Sequence, residues 1–362
     1  MADSGDQPTD AALADAAPPV PWYDPAWLVR RRLVIQSAQV QAPGNGALTH
    51  YPALIDLTGE GLQARADGFD VLFTAADGLQ KLPHEIERWD QAGDHLVAWV
   101  AVDSLSSTED TVLYLYSDNA NAPDQADVTR VWDDNHRGVW HLNQDPGSGT
   151  LATIRDSSPH GRHMTAVLLE SGDLKPGRIG LGIEYGGDNE YTETRQNINI
   201  SGDSAFTMEA WVLPGDNSTP DAYGKGISAW GFAGSTSRAS FLYYDSDDNV
   251  FEVGFWANDD QTAGDYQQDT WYHVVNTYDG ATQNVYVNGQ MALSRAPGPL
   301  NLFDDWYRVG VDSFGQARFF VGMIDEARVS NIARSAEWIA TTYNNHSAPA
   351  SFVVVGAAEA AP

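Results

Sequence analysis

The stretch VGMIDEARVSNIARSAEWIATTYNN, residues 321–345, reads as a buried strand running into a short helix, with Asp325 and Glu326 side by side inside the apolar run. Successive side chains of a strand point to opposite faces. Regular alternation therefore puts Asp325, Ala327 and Val329 on one face and Ile324, Glu326 and Arg328 on the other. On that reading the two carboxylates cannot attend one substrate. Glu326 and Arg328, two apart on one face, are expected to form an ion pair, worth less than ~1 kcal/mol if exposed. Ser335 is placed to cap the helix, and Glu337 lies in its first turn, where the helix dipole favours an anion. Trp338, Ile339, Thr342 and Tyr343 then form a stripe expected to pack on a sheet edge.

Strand patterns dominate on either side of this segment. RRLVIQ alternates, and YPALIDL, FDVLFTAADG, KLPHEIERW, HLVAWVAV and TVLYLYSDN follow with turn signals between them. They predict an antiparallel sandwich over residues 22–118. Residues 119–133 read as a polar connector. A second set runs from FTMEAWVLP to FFVGMIDEARV, punctuated by Asp279-Gly280 and Asn288-Gly289, and fills residues 134–348. The fold class is thus all-β, two tandem antiparallel β-sandwiches with one short C-terminal helix. Residues 1–21, rich in Ala, Asp and Pro, read as a disordered linker, and 349–362 as a tail of small residues leading elsewhere.

The 362 residues carry 50 acidic and 20 basic side chains, a formal net charge of -30, which disfavours nucleic acid and anionic membranes as partners. With no cysteine there is no disulfide, thiol nucleophile or Cys-ligated zinc site. The N-terminus lacks the apolar core of a signal peptide. It fits a linker left after removal of a leader, which implies a periplasmic or extracellular location; a native cytoplasmic start is the competing reading.

GVWHLNQ, then Asp156 with SSPHGRHM directly after it, then FTMEAWVLP, WYHVVNTYDGATQNVYVNG and GMIDEARVSNIARSAEWI follow one another over 138–345. In that order they resemble the laminin-G-like modules of the concanavalin A-type jelly roll. WYDPAWLVRRRLVI, FDVLFTAADG, LPHEIERWD, AWVAV and LYLYSDNANA resemble an uncharacterised bacterial surface domain that precedes such modules. The tandem looks like the extracytoplasmic part of proteins whose membrane half is a MotA/TolQ/ExbB-type proton channel. The first resemblance implies a recognition module for carbohydrate or for a cell-envelope protein. It also implies a structural Ca²⁺ where first and last strands meet, with Asp156 and Asp325 as ligands and Asp188 as a further candidate. Asp325 capping local backbone N–H groups remains the alternative.

The jelly-roll clan includes glycoside hydrolases, whose carboxyl pairs stand about 5–5.5 Å apart in retaining and about 6.5–9.5 Å apart in inverting enzymes. The Glu-x-Asp-x-x-Glu strand that the clan's glucanases resemble one another in is not found, nor is a Gly-x-Ser-x-Gly elbow or a His-x-x-x-His zinc motif. The expectation is therefore a non-catalytic chain, with a glycoside hydrolase or lyase as an alternative and a structural or regulatory part of a proton-channel complex as another. Sugars stack their C–H faces on aromatic rings. Trp230, Tyr244, Trp256, Asn258 and Asp259 are the ligand-binding candidates, and the loop WGFAGSTSRAS (230–240) is either a recognition loop or a connector. His273, within an alternating strand, reads as a hydrogen-bonded core histidine.

Overall fold

The computed structural model describes residues 20–147, 153–215 and 224–362; the linker expected over 1–21 lies almost wholly outside them. Alternating apolar residues build the first sandwich from β1 (Val29–Ile35), β2 (Ala47–Thr58), β3 (Leu72–Ala75), β4 (His84–Asp90), β5 (His95–Ser106) and β6 (Thr111–Ser117). One sheet has the order β2-β5-β4. Its inner face presents Ile55, Leu96, Ala98 and Val100 to a core shared with Leu33, Phe73 and Leu115.

The second sandwich begins with β7 (His136–Trp140), β8 (Thr153–Ile154), β9 (Met164–Val167), β10 (Leu174–Pro176), β11 (Leu181–Gly186) and β12 (Tyr191–Asn197). It continues through β13 (Phe206–Pro214), β14 (Lys225–Gly231), β15 (Ala239–Asp245), β16 (Val250–Gly254) and β17 (Asp259–Gln261). Strands β18 (Tyr272–Tyr278), β19 (Gln283–Val287), β20 (Gln290–Arg295), β21 (Trp306–Val309) and β22 (Val321–Ser330) complete it. Two eight-stranded sheets result, one ordered β10-β11-β22-β13-β18-β19-β20 with β7 also on β22, the other β17-β16-β15-β14-β21-β12-β9-β8. Phe206, Met208, Ala210 and Val212 of β13 face Trp230, Phe251 and Tyr307 across the core. Asn288 and Gly289 both take positive φ in the turn between β19 and β20, as an Asn-Gly hairpin requires.

Two expectations give way here, and a third holds but is extended. Residues 349–362 are no loose tail. After α2 (Pro349–Phe352), strand β23 (Val353–Ala360) pairs antiparallel with β1, so the chain returns to finish the sheet β23-β1-β6-β3. Small residues suit this site, where Gly356 passes close to the Arg32 carbonyl. The connector 119–133 is not merely polar, because Val131 and Trp132 are buried with Leu54, Val97, Trp99, Val139 and Ile179 between the sandwiches. The helix does meet a sheet edge, that of β2, but it packs on more than that edge. Helix α1 (Ala336–Ser347) starts at Ser335, whose side chain accepts the Trp338 N–H at 3.3 Å. From there it lies between the domains: Trp338 enters the first core against Tyr51, while Ile339 packs on Val275 and Tyr286 of the second.

Strand β2 is an edge strand, and exposed edges invite unwanted pairing. Asn345 of α1 blunts it: its amide accepts the Leu54 N–H at 2.8 Å and donates to the Leu54 carbonyl at 2.9 Å. Asn345→Ala strands both buried backbone groups, so chemical denaturation should show a loss of about 2–4 kcal/mol. A change below about 0.5 kcal/mol would mean that water replaces the amide.

Candidate functional site

On the outer face of the sheet carrying β14, β15 and β16, Phe241 and Tyr243 stack with ring centres 4.3 Å apart and planes 19° apart. They floor a pocket of about 320 Å³ walled by Trp256, Ala257 and Arg318, with the carboxylates of Glu252 and Asp259 at its margin. Partial burial raises the pKa of both carboxyls above the usual range. The Arg318 guanidinium lies 5.2 Å from the centre of the Tyr243 ring. Beside the pocket, Trp256 meets Phe314 edge-on at 6.5 Å, and Phe314 in turn meets Phe232 at 5.9 Å. Phe232, Phe303 and Phe314 are 42%, 44% and 40% exposed, large for phenylalanines that touch one another. A ring-floored hollow with an aromatic rim and two hydrogen-bonding carboxyls is chemically suited to a polyhydroxylated ring.

The five predicted ligand residues divide. Trp256 and Asp259 line this pocket. Trp230 and Tyr244 are core: Trp230 meets Phe206 edge-on at 4.9 Å, and Tyr244 donates its hydroxyl to the Tyr266 carbonyl at 2.7 Å. Alternation along β14 and β15 turns these two inward and Ala229, Phe241 and Tyr243 outward. Asn258 pins its loop, donating to the Pro297 carbonyl at 3.0 Å and accepting from Arg295 through its own carbonyl at 2.7 Å. Phe232 lies in the loop singled out from sequence, whereas Phe303 and Phe314 sit in unremarkable polar segments.

The metal candidates are not brought together. Asp156 is occupied by backbone, accepting N–H groups of Val139 at 2.9 Å, Ser158 at 2.8 Å and Arg162 at 2.6 Å. Asp188 is exposed in the turn between β11 and β12. Asp325 accepts the Ile179 N–H at 2.8 Å, the capping alternative, while its other oxygen is buried without a partner.

What the sequence reading missed is a break in alternation. Trp211 pairs with Asp325 and Glu209 with Arg328, so two residues of β22 stand opposite Ala210 alone, a β-bulge in which Glu326 takes φ 53°. Ile324, Ala327 and Val329 consequently point into the jelly-roll core, and Asp325, Glu326 and Arg328 all point the other way, toward the first sandwich. A matching irregularity lies in β4, where the pairing shifts between Ile86 and Arg88. It leaves Glu85 and Glu87 on the face that meets β22.

These groups form a buried layer between the sandwiches. His141 Nδ1 lies 2.7 Å from Glu326 and 3.6 Å from Glu87, and its Nε2 lies 3.3 Å from Glu85. Arg328 bridges Glu326 and Glu209, the latter at 3.2 Å, and its guanidinium sits 4.6 Å and 4.7 Å from the ring centres of Trp99 and Trp132. The two indoles donate to Glu87 at 2.8 Å and Glu85 at 3.1 Å, and Ser157 donates to Glu85 at 2.6 Å. Five carboxyls thus share two cations. Desolvation, with Glu326 as a near neighbour, pushes Glu87 up to about 8 and Asp325 well above its usual value. His141 is held protonated well above its usual range by Glu326, Glu85 and Glu87, against the desolvation that would lower it. A cleft of about 720 Å³ between the domains reaches Glu85 and Glu87 from solvent. The Glu85-x-Glu87 spacing was the available signal, two acids on one strand face.

A family model described as concanavalin A-like lectin/glucanases superfamily matches residues 186–340, and one described as a domain of unknown function (DUF2341) matches residues 67–143. The second sandwich is accordingly a concanavalin A-like jelly roll. No curated protein matches the chain. Among solved structures, domain 4 of AbnA, a GH43 extracellular arabinanase from Geobacillus stearothermophilus in complex with arabinotriose, is similar at TM-score 0.44 and 15% identity, over 58% of this chain and 98% of that one. The binding domain of Paraclostridial Mosquitocidal Protein 1 is similar at 0.43 and 14%, over 59% of this chain and 52% of that one. Trypanosoma rangeli sialidase gives 0.42 and 13%, over 70% and 43%. This chain therefore spans about half the length of the latter two. The proton-channel part of the resemblance draws no support from these matches. Among the described residues no helix is long and apolar enough to cross a membrane.

His273 is buried as expected, but its Nδ1 has no hydrogen-bond partner, and the ring packs against Trp211 and Tyr343 instead. Burial, then Arg328, lowers its pKa to about 3; burial, then Arg334, lowers that of His136 to about 4. The unfolded chain takes up these protons near pH 6.5 and the folded chain does not. The stability they contribute is therefore complete above pH 6.5 and lost as pH falls toward 4, at about 1.4 kcal/mol per pH unit per histidine. Urea midpoints at pH 6.5, 5.5 and 4.5 should show the gap between wild type and His273→Phe narrowing by about one such increment per unit; a constant gap would contradict a neutral buried His273.

Proposed function

We propose that the chain is a non-catalytic, extracytoplasmic carbohydrate-recognition module that seats a glycan against Phe241, Tyr243, Trp256 and the exposed Phe232–Phe303–Phe314 rim. The observation that carries this reading is the ring-floored pocket with carboxyls at its margin, set on the outer sheet of a jelly roll whose family description includes lectins. Stacking supplies affinity through apolar sugar faces, and Glu252, Asp259 and Arg318 supply hydroxyl recognition. The volume is at the small end of ligand sites, roughly 300–1,000 Å³, and fits one or two sugar rings with the rest of the chain passing over the rim.

A glycan array probed with the purified chain, once in Ca²⁺ and once in EDTA, tests the reading. Trp256→Ala should cut binding to any positive glycan at least tenfold, about 1.4 kcal/mol, with an unchanged thermal midpoint, since Trp256 is only half-buried. Phe314→Ala should weaken long glycans more than short ones. Binding that survives Trp256→Ala and Asp259→Asn would place the ligand elsewhere. Silence across the array would turn the aromatic rim into a candidate protein contact, and release of reducing ends from a polysaccharide panel would favour an enzyme.

A further inference from the structure

The buried layer between the sandwiches has more acid than it has partners for. Among the described residues, the ion pairs of Glu85, Glu87, Glu209 and Glu326 run to His141 and Arg328, with Arg334 also near Glu209, and one oxygen each of Glu87 and Asp325 is buried with no hydrogen-bond partner. Isolated carboxylates are not left unpaired in an apolar interior. Glu87, His141 and Glu326 each offer a ligand atom, and the three atoms lie within 4.8 Å of one another. Gly180 leaves open the space beside the unpartnered Glu87 oxygen, since a Cβ there would approach it to 2.6 Å.

We propose that Glu87, His141 and Glu326 form a binding site for one divalent first-row transition ion that fastens the two sandwiches together. Imidazole nitrogen with two carboxylates suits Zn²⁺ or Mn²⁺ better than Ca²⁺, which takes six to eight oxygens. His141 is oriented for the role. Its Nε2 faces Glu85, the hydrogen-bonded carboxylate that commonly fixes a metal-binding histidine, and Glu85 is held in turn by Trp132 and Ser157. That leaves Nδ1 toward Glu326 and Glu87, so the ion replaces the Nδ1 proton and the proton that burial holds on Glu87, and both leave to solvent. Metal–donor bonds of about 2.0–2.2 Å set neighbouring donors about 3.4 Å apart. The Glu87–His141 separation of 3.6 Å already fits, the 2.7 Å His141–Glu326 contact must open, and the two carboxylates stand within 4.8 Å of each other. The cleft lined by Glu85 and Glu87 is the side from which the ion and its remaining water ligands would enter, once the closed Glu87 carboxyl moves toward it.

The chain, dialysed against EDTA, is titrated calorimetrically with ZnCl₂, MnCl₂ and CaCl₂ in separate runs, and its thermal midpoint is followed with each. One Zn²⁺ or Mn²⁺ per chain and a raised midpoint are expected, with at least tenfold weaker binding in Glu87→Gln and His141→Gln and no change in Asp188→Asn, which alters an exposed turn. Glu87→Gln keeps the shape and replaces a carboxyl that burial already holds largely neutral, so it should fold even if His141→Gln does not. With CoCl₂ the native chain should show the visible bands of a four- or five-coordinate N/O site. No stoichiometric uptake, uptake indifferent to Glu87→Gln, or only the spectrum of hexaaqua cobalt would overturn the assignment. None of these outcomes bears on the glycan pocket, which lies on the other sheet.

Discussion

The constraint on which the architecture depends is the bulge at Asp325–Glu326. A strand with both faces covered would normally send consecutive side chains to two different environments. Here one extra residue, held by Glu326 at φ 53°, keeps Ile324, Ala327 and Val329 in the jelly-roll core while three charged groups face the first sandwich together. A non-glycine residue in that region costs about 1–2 kcal/mol, and no glycine marks the spot. The strain is held by what surrounds Glu326, namely buried contacts to His141 and Arg328 that a regular strand could not make. The bulge also divides the edge of β22, which pairs with β11 on one side of it and β7 on the other.

An interface built this way is unusual on energetic grounds. Well-packed apolar residues are often as good as a buried ion pair or better, whereas removing one partner of an existing pair costs about 3–5 kcal/mol. The Glu326–Arg328 pair, expected to be worth little at the surface, is nearly inaccessible to water and sandwiched by Trp99 and Trp132. Such a layer tolerates one registration of the two domains and penalises others, because any slip leaves a charge unpaired. Covalent topology reinforces it. The chain leaves the first sandwich at β6, builds the second, crosses the interface in α1 and returns as β23 to pair with β1. Two chain crossings and a buried polar layer make relative domain motion far more costly than a single linker would.

Much of this was legible in the sequence, and the exceptions share a cause. Both sandwiches, the Asn288-Gly289 hairpin and the Ser335 cap follow from patterns local to a few residues, and the structure has them. The faces of β16 also came out as alternation dictates, with Phe251, Val253 and Phe255 inside. Alternation failed where the period itself breaks, at Asp325–Glu326, because a bulge carrying glutamate leaves no turn-type signature. Contacts far apart in sequence were invisible. Nothing in SFVVVGAAEA says that it pairs with VRRRLVI more than 300 residues earlier. Aromatic residues could be counted but not sided, so Trp230 and Tyr244 stood as ligand candidates while Phe241 and Tyr243, one position over on the strand, form the pocket floor.

The two candidate sites occupy opposite outer faces of the same jelly roll. The ring-floored pocket sits on the sheet of β14, β15 and β16, and the carboxyl–histidine layer on the sheet of β13 and β22. Between them lies a close-packed core in which Phe206 of β13 meets Trp230 of β14 edge-on. Packed cores deform little, so the layer acts on the pocket as a mount and not as a switch. It fixes where the sheet of the ring-floored pocket points relative to the first sandwich. A recognition face gains from such a mount because orientational freedom not left to the free module is not lost on binding.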